Sequence, residues 1–377
     1  MNIRYILLSL LSLLVFTACE KDEPTVHSSR TVLIYMAGNN NLSGEATKNI
    51  VNIVKGANGS LNGGNLLAYV AQTGASPILY QFKQEKNSIQ QITVKTYDKK
   101  QNSASTETLT EVLNAVMTDF PADDYGLVLW SHGTAWLPFD FKNYLRSFGE
   151  DQSWGSFIGI NDLAEALSNY HFSFLAFDAC YMSSVEVAYA LRNCTDYFIG
   201  SPTEIMGSGF PYDKIIKPMF TSQPDVIKIG SEFYDHYKSD PNGYPYGTIS
   251  VLKTANLDNL AAASQAIFKG KTDAELFAVP AKELQLMEYL TPNYHALYDM
   301  DDYVKRLATT DQYTTFQQAM DKAIIYKAAT PMSFYAYGYQ AIAINKFSGL
   351  SIYVPQEALP KLNEWYKSLA WYKAVYQ

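Results

Sequence analysis

Two side chains in this sequence stand where they could do covalent chemistry together. His132 follows the apolar run Leu127-Val128-Leu129-Trp130-Ser131, and 48 residues later Cys180 follows Phe174-Leu175-Ala176-Phe177-Asp178-Ala179. A thiol beside an imidazole supplies a thiolate nucleophile and a group that takes and returns its proton. Each residue alone would read otherwise, because buried cysteine is commonly packing material and an isolated strand-end histidine is commonly a hydrogen-bonded structural one. Their shared setting singles them out. Both stand past short, continuously apolar runs, the pattern of parallel strands buried on both faces. Open α/β sheets bind ligands at the carboxyl ends of such strands.

The elements that must position this pair follow in chain order. A polar tether runs to about Ser29, and residues 32–37 form a first strand that stops at the turn composition Gly38-Asn39-Asn40-Asn41. A helix over 42–55 turns Ile50, Ile53 and Val54 inward, and 66–71 is the second strand. Residues 78–82 and 89–97 flank the polar 83–88 and read as a hairpin on the sheet margin. From Ser105, the positions Leu109, Val112, Leu113, Val116 and Met117 have helical spacing until Pro121. The connection over 133–159, rich in Trp, Phe and charge, is too long for an ordinary link. A short helix capped by Asn161 or Asp162 then precedes the Cys180 strand.

Ser183-x-x-Glu186 reads as a capping box opening a helix. That helix would hold Cys180 and Cys194 too far apart for a disulfide, and its dipole would favour a thiolate at Cys180. Residues 197–201 supply another strand, 226–238 and 256–269 helices, and 248–252 a strand. Residues 274–329 read as mostly helical, while 341–344 and 350–354 return to strand character. The alternation predicts an α/β fold with a parallel sheet covered on both faces.

The composition, 47% hydrophobic and 18% charged, is that of a globular chain. A net charge of −8 argues against nucleic acid as a partner, which requires a basic stripe. Residues 1–18 carry one charge, Arg4, ahead of an apolar run too short for a confident membrane span, and read as a secretory signal. Phe16-Thr17-Ala18-Cys19 resembles a bacterial lipobox, in which the cysteine is acylated and becomes the N-terminus. Glu20-Lys21-Asp22-Glu23 looks like the surface-export tag of Bacteroidetes lipoproteins. These features predict an outer-membrane lipoprotein, surface-exposed and anchored through Cys19; a plainly cleaved signal is the alternative.

Leu129-Trp130-Ser131-His132-Gly133 and Phe177-Asp178-Ala179-Cys180 are similar to the His and Cys motifs of the clostripain family of bacterial cysteine peptidases, relatives of caspases, gingipains, legumains and separase. Tyr35-Met36-Ala37-Gly38-Asn39-Asn40-Asn41-Leu42 resembles that family's first-strand motif, with Asn39 where members commonly carry Asp, and Tyr298-Asp299-Met300-Asp301-Asp302-Tyr303 resembles a late one. The resemblance implies a caspase-like α/β/α sandwich with a mostly parallel central sheet and a mainly helical C-terminal subdomain. The divisions would be a signal peptide over 1–18, an acidic tether over 19–29, a peptidase domain over 30–270, and a helical subdomain over 271–377 that returns strands to the sheet.

The same resemblance implies an endopeptidase acting on protein or peptide substrates. Cys180 would be the nucleophile, His132 the acid and base, and the backbone N–H groups of Gly133 and Cys180 the oxyanion donors. Asp178 would select Arg or Lys in the S1 pocket, or alternatively cap the following turn. A second S1 acid is expected in residues 204–209; Glu204 is the candidate, although it could equally form a salt bridge elsewhere. Several family members mature by cutting the connection between the two motifs, which makes Arg146, then Lys142, candidate self-cleavage sites. Calcium is required by some relatives, and the sequence does not decide for or against it. Asp299, Asp301 and Asp302 lack an EF-hand pattern and read as helix caps, and His171, His236 and His295 lack partners at metal-ligand spacing. Two other readings stay open: a non-catalytic surface-binding lipoprotein of the same fold, and another cysteine acyl hydrolase or transpeptidase.

Overall fold

The structure, a computed structural model, describes residues 28–137, 147–239, 244–289, 294–335 and 340–377. Cys19, Lys142 and Arg146 lie outside the described residues, as do the signal and nearly all of the tether. Among the described residues no helix is long and apolar enough to cross a membrane.

The amino-terminal half alternates strands and helices: β1 (Ser28–Gly38), α1 (Ser43–Ala57), β2 (Asn65–Gln72), the hairpin β3 (Ile78–Glu85) and β4 (Ser88–Thr96), α2 (Thr106–Asp119) and β5 (Ala122–Trp130). The connection after His132 holds a small hairpin, β6 (Phe148–Asp151) with β7 (Ser156–Ile158), followed by α3 (Ile160–Leu167), β8 (Phe174–Asp178), α4 (Val185–Ala190) and β9 (Tyr197–Gly200). Then come α5 (Tyr212–Met219), α6 (Val226–Lys238), β10 (Thr248–Lys253), α7 (Leu257–Phe268) and α8 (Asp273–Phe277). The remainder is β11 (Leu297–Asp299), α9 (Met300–Leu307), α10 (Thr310–Ala323), β12 (Ile324–Ala329), β13 (Met332–Tyr335), β14 (Gln340–Ala343), β15 (Ser351–Tyr353), α11 (Pro360–Tyr366) and α12 (Ala370–Tyr376).

Nine strands form one sheet in the order β12-β10-β9-β8-β5-β1-β2-β3-β4. Its centre, from β9 to β2, is parallel, and both margins pair antiparallel. The mostly parallel sandwich is thus the fold, with the hairpin at the margin where its polar middle segment placed it. Successive residues of the central strands feed opposite cores, which is why these strands read as unbroken apolar runs. Leu33, Tyr35, Leu127, Leu129, Leu175 and Phe177 pack with α2, α3, α4 and the later helices. Val32, Ile34, Met36, Val128, Phe174 and Ala176 pack with α1, α5 and α6.

Three expectations are corrected. The first strand begins at Ser28, inside the expected tether, because Ser28 and Arg30 pair with Ala122 and Asp124 of β5. The strand that rejoins the sheet from the C-terminal part is β12, in a stretch that reads as helix. Ile324 caps α10 through its N–H on the Met320 carbonyl and leads directly into the strand, so no Gly or Pro marks the change. The stretches that carry strand character in the sequence make small pairs instead, β14 with β13 and β15 with β11. Residues beyond 271 share the core under α2–α4: Trp136, four residues past His132, is fully buried and stacks on Tyr366 of α11 at 5.7 Å.

Candidate active site

Strands β5 and β8 are parallel neighbours with Trp130 opposite Asp178. Two residues further along each strand, His132 and Cys180 come level at the carboxyl edge of the sheet. Ser131 ties the ends together: its N–H donates to the Asp178 carbonyl, its hydroxyl donates to the Ala37 carbonyl of β1 at 2.7 Å, and Glu150 N–H donates to the hydroxyl. Both residues line a cleft of about 220 Å³ with Asn41, Leu42, Asp178 and Glu204, and Phe334 also reaches it.

Gly133 is required by close approach. A Cβ there would lie 2.5 Å from the Cys180 carbonyl oxygen and 3.1 Å from Ala179 Cβ. The chain also pairs back on β6 at this point. The Gly149 N–H donates to the His132 carbonyl and the Thr134 N–H to the Ser147 carbonyl, so this pairing does not draw on the Gly133 N–H. After the nucleophile position the backbone turns sharply. Tyr181 sits at φ +65°, a left-handed conformation costing a bulky residue roughly 1–2 kcal/mol. It is held by its N–H on the Thr203 carbonyl and its hydroxyl on Glu204 Oε2 at 3.1 Å.

Cys180 is half-buried and its sulfur meets the backbone of Ile205, accepting from the N–H at 3.4 Å and donating to the carbonyl at 3.7 Å. Burial first, then the negative charge of Glu204, push the thiol well above its ordinary range. The expected helix-dipole help is not what this arrangement delivers. The capping box does not form: Ser184 is the N-cap, accepting from Val187, so the helix starts at Val185, past a turn that separates it from Cys180. A helix dipole acts only within its first turn. Glu186 instead buries its carboxylate against the Tyr353 N–H at 2.8 Å. Cys194 is also a free thiol, buried, with Sγ on the Leu191 carbonyl.

His132 is half-buried, and burial lowers its basicity. Its Nε2 lies 2.6 Å from Asn41 Oδ1 and 3.5 Å from Glu150 Oε2. Burial thus disfavours the charged form of both the thiol and the imidazole. The Asn turn that carries Asn41 is stitched to β6. Asn39 Nδ2 donates to Asp151 Oδ1 at 2.7 Å, and Asn40 donates to the Ala37 and Glu150 carbonyls while accepting from the Leu42 N–H. An aspartate at position 39 would place a second carboxylate against buried Asp151, so the amide suits its neighbour here.

Asp178 is buried at the cleft floor, where its Oδ2 accepts from the Phe210 N–H at 3.0 Å and the Tyr212 hydroxyl at 2.9 Å. Gly209, at φ +70°, packs so closely that a Cβ would come 2.7 Å from that carboxylate. Burial pushes the Asp178 carboxyl up to about 7 against the pull of those two donors. Asp178 thus faces the cleft and organises the 204–212 loop through Phe210 and Tyr212, rather than capping the turn that follows it. Elsewhere, Asp299 caps α9 and accepts from Ser348, Asp302 pairs with Lys346, and Asp301 holds Tyr313. Among the described residues no group of three or more His, Cys, Asp or Glu is arranged to hold a metal ion.

The sequence brought forward His132, Gly133, Asp178, Cys180 and Glu204; four of them line one cleft, and Gly133 packs behind it against the Cys180 carbonyl. It missed Asn41 and Glu150. The available signal was three consecutive asparagines at the carboxyl end of the strand beside the histidine strand.

A strand-end cysteine level with a strand-end histidine, at the carboxyl edge of a covered parallel sheet, defines the site class of the caspase-like cysteine peptidases. The sequence profile of the clostripain family matches residues 34–377, and the chain belongs to that family. It is 56% identical to an inactive zymogen C11 protease from Parabacteroides distasonis, with a TM-score of 0.86 over 93% of this chain and 99% of that one. A secreted C11 cysteine protease from Bacteroides thetaiotaomicron, solved with an irreversible peptide inhibitor, is 32% identical with a TM-score of 0.81, covering 92% and 99% of the two chains. Another secreted C11 protease from that organism, iotapain, is 26% identical with a TM-score of 0.79, covering 93% and 100%. No curated protein matches the chain.

Proposed function

We propose that this protein is an endopeptidase that cleaves after Arg or Lys through Cys180 and His132, exported and anchored at the outer membrane by acylated Cys19. The observation that carries the reading is the β5–β8 register, which sets His132 level with Cys180 and lays the Gly133 backbone against it. The thiol proton passes to His132 as sulfur bonds to the scissile carbonyl carbon. The carbon–nitrogen bond then breaks as the imidazolium returns its proton to the leaving amine, and water, deprotonated by His132, hydrolyses the thioester. In this reading the Gly133 and Cys180 N–H groups receive the oxyanion. Asp178 and Glu204, both at the cleft, give a basic P1 side chain its counter-charge.

The 56% identical relative is an inactive zymogen, which favours a second element of the reading: activation by a cut after Arg146 or Lys142. Such a cut would leave β1–β5 in one fragment and β8–β12 in the other, joined through the β5–β8 pairing. The flanks differ in cost. Ser147, Phe148 and Gly149 are buried in and beside β6, with the Ser147 N–H on the Ile158 carbonyl, so cutting after Arg146 requires this strand start to peel away. Cutting after Lys142 does not, and this shifts the order toward Lys142.

The test is peptide-library cleavage by the tagless mature protein, with Cys180→Ala and Cys194→Ala alongside. Cleavage after Arg or Lys, lost in the first variant and kept in the second, with wild type splitting into two associated fragments and Cys180→Ala staying whole, is the expected result. Turnover surviving in Cys180→Ala sinks the dyad. An intact chain in fully active enzyme sinks the activation step alone.

A further inference from the structure

The two groups that hold His132 come from separate parts of the fold, and both act on the same ring nitrogen. Asn41 ends the turn after β1 and puts its side-chain oxygen 2.6 Å from Nε2; Glu150, in β6, brings a carboxylate oxygen to 3.5 Å. A carboxylate only accepts hydrogen bonds, so even if the Asn41 amide were turned over, Glu150 would still call for a proton on Nε2. A neutral imidazole has one N–H. If that N–H is at Nε2, the lone pair is at Nδ1.

We propose that Asn41, backed by Glu150, is the positioning residue that fixes His132 as its Nε2–H tautomer and so makes Nδ1 the nitrogen that exchanges a proton with Cys180. The inference rests on reading Cys180 and His132 as a working dyad, and it adds which nitrogen works and what selects it. The proton leaves Sγ for Nδ1, giving thiolate and imidazolium. Nδ1–H then donates to the departing amine, while Nε2–H stays bonded to Asn41 throughout. The turn is built to keep Asn41 still, because Asn39 and Asn40 are both bonded into β6 or to the end of β1. The charged and titratable groups around the ring are Glu150 from β6, Cys180 after β8, and Asp178 and Glu204 across the cleft. Asn41 is the neutral member, able to orient the ring without adding charge that would hold it protonated.

Three variants and one spectrum test this. Asn41→Ala is expected to lower kcat on a basic-P1 peptide amide by about 10- to 100-fold with KM little changed, the scale of loss when a reacting group is misplaced. Asn41→Asp should recover most of kcat and move the acid limb of the pH profile upward, because an anion on Nε2 favours the imidazolium. A residue that merely supported folding would change thermal stability and leave the profile where it was. In nitrogen-15 labelled Cys180→Ala protein, His132 should give the signature of a protonated Nε2 and a bare Nδ1, and adding Asn41→Ala should weaken that preference. Wild-type kcat and pH profile in Asn41→Ala, or a His132 spectrum with the proton on Nδ1, overturns the proposal. Failure of the dyad itself would show separately, as activity retained in Cys180→Ala, and the spectrum decides the tautomer whether or not the peptide is cut.

Discussion

Asp178→Asn separates what the buried carboxylate costs from what it does. Burial displaces the Asp178 carboxyl from an ordinary 3.8 to about 7. Because the folded value lies above the unfolded one, the folded state holds its proton more firmly, and stability falls as pH rises from about 4 to about 7. At about 1.4 kcal/mol for each tenfold step, the full penalty above pH 7 is about 4 kcal/mol, an upper bound for a side chain that still borders the cleft. Asparagine can keep the acceptor for the Phe210 N–H and a hydrogen bond to the Tyr212 hydroxyl without carrying charge. The substitution should therefore leave stability nearly unchanged at pH 4 and raise it by about 2–4 kcal/mol at pH 8, read by urea denaturation in a Cys180→Ala background that cannot cut itself. Glu186, also pushed up to about 7 by burial, is present in both proteins and cancels. In active enzyme the same change should lower kcat/KM for an Arg amide far more than for a Leu amide. A variant destabilised equally at both pH values would refute the buried-charge argument, and an unchanged Arg-to-Leu ratio would remove Asp178 from P1 selection.

Gly133→Ala should reduce kcat at least 100-fold while costing about 1–3 kcal/mol of stability, because its Cβ would sit 2.5 Å from the Cys180 carbonyl and must displace the nucleophile turn. Steady-state kinetics beside a thermal melt checks this, and near-normal turnover would show that the turn yields without harm. For Cys19, metabolic labelling with an alkynyl fatty acid should mark wild type and not Cys19→Ala, with the label in the membrane fraction. Unlabelled wild type released into the medium would end the anchoring proposal.

The parts of the fold that were legible in the sequence are those whose signal is local. β5 and β8 announce themselves because burial on both faces demands unbroken apolar runs, and α2 because its core contacts recur at helical spacing with Ser105 as its cap. β12 was hidden because Ile324-Ile325-Tyr326 extends the apolar pattern of α10 without a breaker, and only pairing with β10 decides its state. Ser183-x-x-Glu186 satisfied a capping pattern, yet Glu186 is engaged by Tyr353, a residue 167 positions away. The support of His132 was hidden for the same reason: Asn41 is 91 positions from it, and the run of asparagines reads as a turn whatever it holds.

The long connection between the two motifs also looks different once its ends are located. Its length marks it as more than an ordinary link, and from Ser147 onward it is built into the site: Ser147 and Gly149 bond the backbone on either side of Gly133, Glu150 reaches His132 and the Ser131 hydroxyl, and Asp151 fixes Asn39 and Ser103. A cut within residues 138–146 would leave these bonds in place as long as β6 stays paired, because each joins the strand to a neighbour rather than to the loop before it. The proposed cut would then leave the imidazole seated. A mechanism that instead worked by resetting His132 would have to break contacts to Ser131, Asn39, Asn40 and the Gly133 turn together. The density of that zipper favours a seat for His132 that is already formed in the uncut chain.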